Sequence, residues 1–430
     1  MTEISARNRR PVKGKPEKGN AGRENPGRGA SVRGTSPLAA RVLELVASGQ
    51  ASSRAELAAL LGAAPSTISL TVGQLVERGL IAEEGTHSST GGRPRKVLRL
   101  GGTDQFAVAA DLGGRHARIG AVLPGGRLER VTTVPFVIDD GPEEALPRLA
   151  DTLQALAEEQ GRDRLVGVGL SLPGPVDVDR GAVVLPSRMP GWNRFPVADW
   201  LRERFAVATA VDNDANCMAM GEHTVRPAEH RQSIMVKIGS AIGAGVIVDG
   251  HLYRGANGAA GDITHIRIDG AADIPCSCGK TGCLETVASG AALVRILRER
   301  GADVASPEDV VRLAADADPE ASRAVRRAGE HLGQVLAANV NFFNPDAVYL
   351  GGILSTLEPF VAAVRSRLYE SCHPLVTEHL TIERARLGAD AGVVGAGQFA
   401  LQRAMADALR GLGAGGSGAG RPDPHAPRTP

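Results

Sequence analysis

Three cysteines crowd into eight residues of this chain, Cys276-Ser277-Cys278-Gly279-Lys280-Thr281-Gly282-Cys283, and His265 precedes them. Thiols at this density constrain the fold more than any other feature, because they must converge on one point or be buried singly. Zinc in structural sites takes four nitrogen or sulfur ligands at the corners of a tetrahedron. His265, Cys276, Cys278 and Cys283 supply such a set, and Gly279 and Gly282 allow the loop to bend tightly around an ion. Four protein ligands leave no open coordination position, so the expected Zn2+ is structural rather than catalytic. Unpaired buried thiols are the plainer alternative. Cys217 and Cys372 lack such neighbours and read as core residues.

At 430 residues the chain has room for two or three domains. Five cysteines in so long a chain make no disulfide framework, which suits a reducing, cytoplasmic location. No apolar run approaches the roughly 18 residues of a membrane helix, so no membrane association is expected. The basic N-terminus lacks the apolar stretch of a secretory signal. Net charge is only +1, so any charge directed at nucleic acid must be local. Residues 1–36 carry many Arg, Lys, Gly and Pro and almost no aliphatic side chains, and read as a disordered basic tail. Its cations could add affinity for phosphates without regard to sequence. Residues 409–430 read as a second disordered tail.

Residues 37–101 form the first expected domain. Leu38, Val42, Leu45 and Val46 repeat at helical spacing. Ser53 then caps a second helix striped by Leu57, Leu60 and Leu61, and Gly62 stops it. Pro65 opens a third helix with Ile68, Val72, Leu75 and Val76 facing inward. Its other face is expected to carry Ser66, Thr67, Ser69 and Thr71, short polar groups suited to base edges in a major groove. Two strands follow, and between them Gly91-Gly92-Arg93-Pro94-Arg95-Lys96 makes a basic tip. Arg93, Arg95 and Lys96 suit a narrow minor groove. Three helices and a basic hairpin in this order predict a winged helix-turn-helix that binds DNA. A small helical bundle making protein contacts is the alternative.

From residue 102 to 408 strands alternate with helices, an α/β pattern. Asp111-Leu112-Gly113-Gly114 follows one strand, and Lys237-Ile238-Gly239-Ser240-Ala241-Ile242-Gly243-Ala244-Gly245 is a strand, a glycine turn and a strand. Both are candidate phosphate turns. Asn213 and Asp214 follow an apolar run; an aspartate there could act as a general base toward a hydroxyl or cap a helix. Val348-Tyr349-Leu350-Gly351-Gly352 is a further strand and turn, and the helix near 318–340 carries a core stripe.

The order of these motifs, with Gly261-Asp262-Ile263-Thr264-His265, the cysteine cluster and Leu284-Glu285, resembles the ROK family of repressors and sugar kinases. With the N-terminal domain in front, the chain is similar to that family's transcription-factor branch. The resemblance implies a two-lobed, actin-like ATPase fold of the sugar-kinase kind, hinged near 213–235 and 390–395, with a sugar in the cleft. Asn213, Asp214, Asp262, His265 and Glu285 would contact it. Asp214 would be the base in a kinase, and His265 would serve both zinc and sugar.

The chain also departs from the kinase pattern. Arg115 stands where a small hydroxyl is expected after the first glycine pair, and Ala241 and Ala244 replace glycines that let phosphate approach the backbone. Arg188 and Asp262 alter the expected sugar contacts. No catalysis is therefore expected. The implied function is a regulator of carbohydrate metabolism, usually a repressor, whose affinity for operator DNA is set by a sugar or sugar derivative. The implied assembly is a homodimer or homotetramer in which lobe closure shifts the spacing of two wings. An active ATP-dependent sugar kinase with an accessory DNA-binding domain is the alternative. A DNA-bound adaptor answering to a phosphocarrier protein is a third reading.

Overall fold

The computed structural model describes residues 37–47, 51–87, 95–227, 229–269, 271 and 273–414. The tail expected over 1–36, the tip residues 88–94 and residues 415–430 lie outside them.

Helical spacing of apolar residues builds the first unit from α1 (Pro37–Ala47), α2 (Arg54–Leu61) and α3 (Pro65–Glu77). As expected, Ser53 accepts from the Glu56 N–H to cap α2, and Gly62 ends the helix at φ 59. Strands β1 (Ile81–His87) and β2 (Arg95–Leu100) pair antiparallel, Ile81 opposite Leu100. Val42, Leu43, Leu57, Ile68, Val72, Leu75, Ile81 and Leu98 are buried together. One expectation fails here. Thr71 is buried, not on the outer face, and its hydroxyl donates to the Thr67 carbonyl at 2.9 Å. Three residues after Ile68 and four before Leu75, it sits on the same helix face as both.

Two sheets follow, and they repeat one design. The first comprises β3 (Phe106–Leu112), β4 (His116–Val122), β5 (Leu128–Pro135), β6 (Leu165–Leu172) and, after the small hairpin β7 (Val176–Asp177) and β8 (Ala182–Val183), β9 (Ala208–Asn213). Helix α4 (Pro142–Gln160) precedes β6 and α5 (Val197–Phe205) precedes β9. Helix α6 (Asp214–Thr224) then leads to the second sheet. That sheet contains β10 (Ser233–Ile238), β11 (Ile242–Val248) and β12 (His251–Tyr253). The short helix α7 (Glu285–Ala288) and helices α8 (Gly290–Glu299), α9 (Pro307–Ala315) and α10 (Pro319–Phe343) come before β13 (Ala347–Gly351). Helices α11 (Glu358–Ser371) and α12 (Pro374–Thr377) come before β14 (Thr381–Arg384), and α13 (Ala391–Ala414) ends the described chain.

Strand orders are β5-β4-β3-β6-β9 and β12-β11-β10-β13-β14. In each, an antiparallel meander of three strands is extended by two parallel strands reached through helices. Such βαβ crossovers bury a sheet face under their helices. This duplication makes the two lobes of an actin-like, mixed α/β fold. Residues 214–232 join β9 of the first sheet to β10 of the second, and residues 385–390 lead from β14 into α13.

Helices α6 and α13 lie between the sheets. Cys217 and Met220 of α6 pack with Val393 and Ala396 of α13 against the first sheet, while Met218 and Ala219 pack with Ala391 against the second. The two helices touch at backbone distance. A Cβ on Gly395 would fall 1.7 Å from the Cys217 carbonyl oxygen, and one on Gly221 would fall 2.1 Å from that of Ala391. No side chain larger than hydrogen fits at either point.

The far end of α13 corrects the second expected tail. The helix runs on to Ala414, and Leu409 is buried in the core of the N-terminal unit, with Met405 packed beside it. Leu409 lies one turn beyond Met405, but nothing local shows that a distant unit covers it. We expect Leu409→Ala to cost that unit about 2–5 kcal/mol, the usual loss for a buried leucine. Amide hydrogen exchange should show α3 losing protection while β3 and β6 keep theirs.

Candidate functional site

The glycine turn between β10 and β11 lies against several of the expected site residues, with the Cβ position of Gly243 within 4 Å of the Asp214 carboxylate. Its carbonyls are tied down by the start of α8: the Gly290 N–H donates to Gly239 at 2.8 Å and the Ala291 N–H to Ser240 at 3.2 Å. Glu285, buried, accepts from the Ile242 N–H at 3.0 Å, and the Thr264 hydroxyl donates to the Ile242 carbonyl at 2.8 Å. These bonds bring Gly261-Asp262-Ile263-Thr264-His265 against the turn. Asp262 is exposed and His265 half-buried.

Three carboxylates near this turn have partners of their own. Asp214 pairs with Lys237 of β10, and the Ser171 hydroxyl donates to Asp111. Glu285 pairs with Arg188 at 3.2 Å. Burial pushes Glu285 up, against the Ile242 N–H and Arg188, which pull it down. Burial likewise raises Asp111, although Lys237 and Ser171 oppose it. Burial disfavours the Lys237 ammonium, but Asp214 and Asp111 outweigh it and hold the group above its ordinary value. Asn213 is committed to local structure: its side-chain oxygen caps α6, accepting from the Ala215 and Asn216 N–H groups, and its amide donates to Gly174 at 3.0 Å. Behind it, Asp212 holds the strand end. One oxygen takes the Asn213 N–H at 2.8 Å and the Asn216 amide at 2.9 Å; the other takes Arg254 at 2.5 and 3.0 Å.

Lys237, Ser171, Asp212 and Arg254 went unassigned in the sequence. A signal existed for Lys237, a lone charge in the otherwise apolar end of a strand, Met235-Val236-Lys237-Ile238. Arg254 and Ser171 had none, since their partners are distant in the chain. Arg115 is exposed at the first glycine turn.

The cysteine cluster assembles as expected. Candidate ligand atoms of His265, Cys276, Cys278 and Cys283 all lie within 4.8 Å of one another. His265 Nδ1 is 3.5 Å from Cys276 Sγ, and Cys278 Sγ is 3.7 Å from Cys283 Sγ. A zinc tetrahedron with bonds of about 2.3 Å has sulfur–sulfur edges of roughly 3.7 Å, so the donor set fits that ion. Burial and the neighbouring thiols push Cys283 up to about 12, while a backbone N–H from Lys280 lowers Cys278. Cys217 and Cys372 are buried singly.

In the N-terminal unit, Ser66, Thr67 and Ser69 are exposed on α3. Arg54 donates to the Ser69 carbonyl at 3.0 Å and pairs with Glu83 of β1, whose other oxygen takes Lys96 of β2 at 2.7 Å. This network locks α3 to the hairpin. Arg95 opens β2, and Arg93 lies outside the described residues.

The duplicated lobes and their cleft define the sugar-kinase class of actin-like folds. The chain belongs to the ROK family, whose model matches residues 107–403. It is 29% identical over 319 residues to a glucokinase of Halalkalibacterium halodurans, covering 70% of this chain and 96% of that one. It is also 29% identical over 357 residues to a xylose repressor of Bacillus spizizenii, covering 81% and 91%. A solved ROK family transcriptional regulator, described as a homologue of the E. coli MLC protein, superposes with a TM-score of 0.73 at 25% identity, covering 87% of this chain and 97% of that one.

The Asp111 geometry gives a signed pH effect. Its carboxyl is raised in the folded chain, so its favourable contribution is present below about pH 4 and is lost as pH rises toward the folded value. Asp111→Asn keeps an acceptor for Ser171 and removes the buried charge. We expect the variant's melting temperature, relative to the parent's, to rise between pH 4 and pH 7, measured by scanning calorimetry across that range.

Proposed function

We propose that the chain is a sugar-responsive transcriptional repressor without phosphoryl-transfer activity. One observation carries the coupling: α13 begins in the lobe interface beside the cleft and ends in the core of the N-terminal unit. That unit is a winged helix-turn-helix, with α3 as its reading helix and Lys96 in the wing. A sugar held by Asp214, Asp262 and Glu285 draws the lobes together, and α13 carries the movement to the DNA reader. The protein acts as a homodimer or homotetramer, so that two readers engage two half-sites. Its setting is the cytoplasm, and among the described residues no helix is long and apolar enough to cross a membrane.

Two features support the loss of kinase activity. The Asp214 carboxylate needed as a base is paired with Lys237, and Arg115 projects at the first phosphate turn. The retained Asp214 is what favours the kinase reading. The deciding experiment measures binding to an operator recovered by genome-wide footprinting, with and without a panel of sugars. We expect one sugar to lower affinity by about 5–150-fold, a coupling of 1–3 kcal/mol, with no ADP released at saturating sugar and ATP. Operator affinity indifferent to every sugar, or ADP release abolished by Asp214→Asn, overturns the reading.

Zinc at His265, Cys276, Cys278 and Cys283 would staple the loop that delivers Asp262 and Glu285 to the glycine turn. It supplies structure only, since four protein ligands fill the tetrahedron. Cys283→Ser should lower bound zinc from one ion per chain toward none and weaken sugar binding. Metal analysis and calorimetric titration check both.

A further inference from the structure

The outward face of α3 carries two features that the fold of this chain does not require. At 3.6 residues per turn, Ser66, Ser69, Leu70, Gly73, Gln74 and, at the helix end, exposed Glu77 share the arc opposite buried Ile68, Val72 and Leu75. Leu70 stands near the middle of that arc and is 66% exposed. Single exposed leucines are ordinary on protein surfaces. Gly73, however, stands beside it one turn on, and a Cβ there would meet nothing within 4 Å. Glycine weakens a helix interior relative to alanine, and no neighbour among the described residues asks for it. An apolar knob next to a gap at backbone level is therefore shaped for something outside the molecule.

We infer that α3 enters the major groove on this face, with Leu70 seated on the 5-methyl group of a thymine and Gly73 giving the clearance the duplex needs. The inference rests on the DNA-binding reading above and names the residues that set its specificity. Apolar side chains discriminate thymine through that methyl, the only apolar group on a major-groove edge. The short hydroxyls of Ser66, Thr67 and Ser69 surround the knob without holding the helix away. Gln74, one turn beyond Leu70, is placed to bond the N6 and N7 of a neighbouring adenine. The Arg54 bond to the Ser69 carbonyl fixes this stretch of helix against the hairpin, so the knob is presented rigidly.

The test uses the full-length protein and a randomised duplex library. Selection should return half-sites with a fixed thymine. Replacing that thymine by deoxyuridine, which lacks only the methyl, should weaken binding by about fourfold per half-site, the worth of one buried methyl. Leu70→Ala should bind the thymine and uridine duplexes equally. Gly73→Ala should melt at the same temperature or higher yet lose at least about tenfold in specific affinity, a combination that a glycine kept for folding cannot give. If the parent selects a duplex but Leu70→Ala still distinguishes uridine from thymine, or Gly73→Ala binds normally, this inference fails alone. If Leu70→Ala changes only the oligomeric state, the face belongs to a second copy and the inference is overturned. If the parent selects no duplex, the DNA-binding reading itself falls and takes this one with it.

Discussion

The close contact of α6 with α13 is the constraint on which the rest of the molecule depends. Where Gly395 meets the Cys217 carbonyl and Gly221 meets that of Ala391, two helix backbones touch without side chains between them. This lets both helices fit in the narrow layer between two sheets and contribute to the packing of each. Helix α6 begins at Asp214, so whatever moves the pair moves the cleft. Interiors packed to this density shift as bodies rather than deform locally. Buried Arg226 reinforces the assembly, forming ion pairs with Glu222 of α6 at 2.9 Å and with Glu383 of β14. Glu222 in turn accepts the Arg386 and Leu387 N–H groups on the approach to α13.

Electrostatics in the cleft follow from the same enclosure. A site that works on a nucleotide with a divalent ion leaves carboxylates for the ion to neutralise. Here three of the carboxylates are met from within, Asp214 by Lys237 and Glu285 by Arg188, while Asp111 is eased by the Ser171 hydroxyl and biased toward its protonated form. Opening any of these pairs leaves a charge in a poorly solvated place, at a cost that favours keeping the other partner close. A neutral polyol can add hydrogen bonds to such pairs without breaking them.

What was legible in the sequence was whatever is encoded locally. The cap at Ser53, the stop at Gly62, the zinc-spaced thiols and the strand–turn–strand around Gly239 each follow from residues a few positions apart. What was hidden depends on partners far along the chain. Thr71 was placed outward by its chemistry, but helix geometry sets it between Ile68 and Leu75, and its hydroxyl is satisfied by the preceding turn. Leu409 looked like the start of a tail because its cover is more than 300 residues away in sequence. Lys237 was read only as one residue of a candidate phosphate turn, and its pairing with Asp214 joins residues of two different elements.

Length then turns the shared helix into a lever. At 1.5 Å per residue, the 24 residues of α13 span about 36 Å, so a tilt of about 5° at the cleft moves the far end by roughly 3 Å. The near end is fixed by glycine contacts with α6 and the far end by Leu409, leaving little slack between them. Two readers displaced in opposite senses would change their separation by about twice that, against half-sites roughly 34 Å apart. Side chains reading base edges tolerate far less error than this, since hydrogen bonds weaken within a few tenths of an ångström. A coupling of about 1–3 kcal/mol therefore needs only a small lobe rotation. In the proposed mechanism, the stiffness that forbids any side chain at Gly395 would keep such a rotation from dissipating before it reached α3.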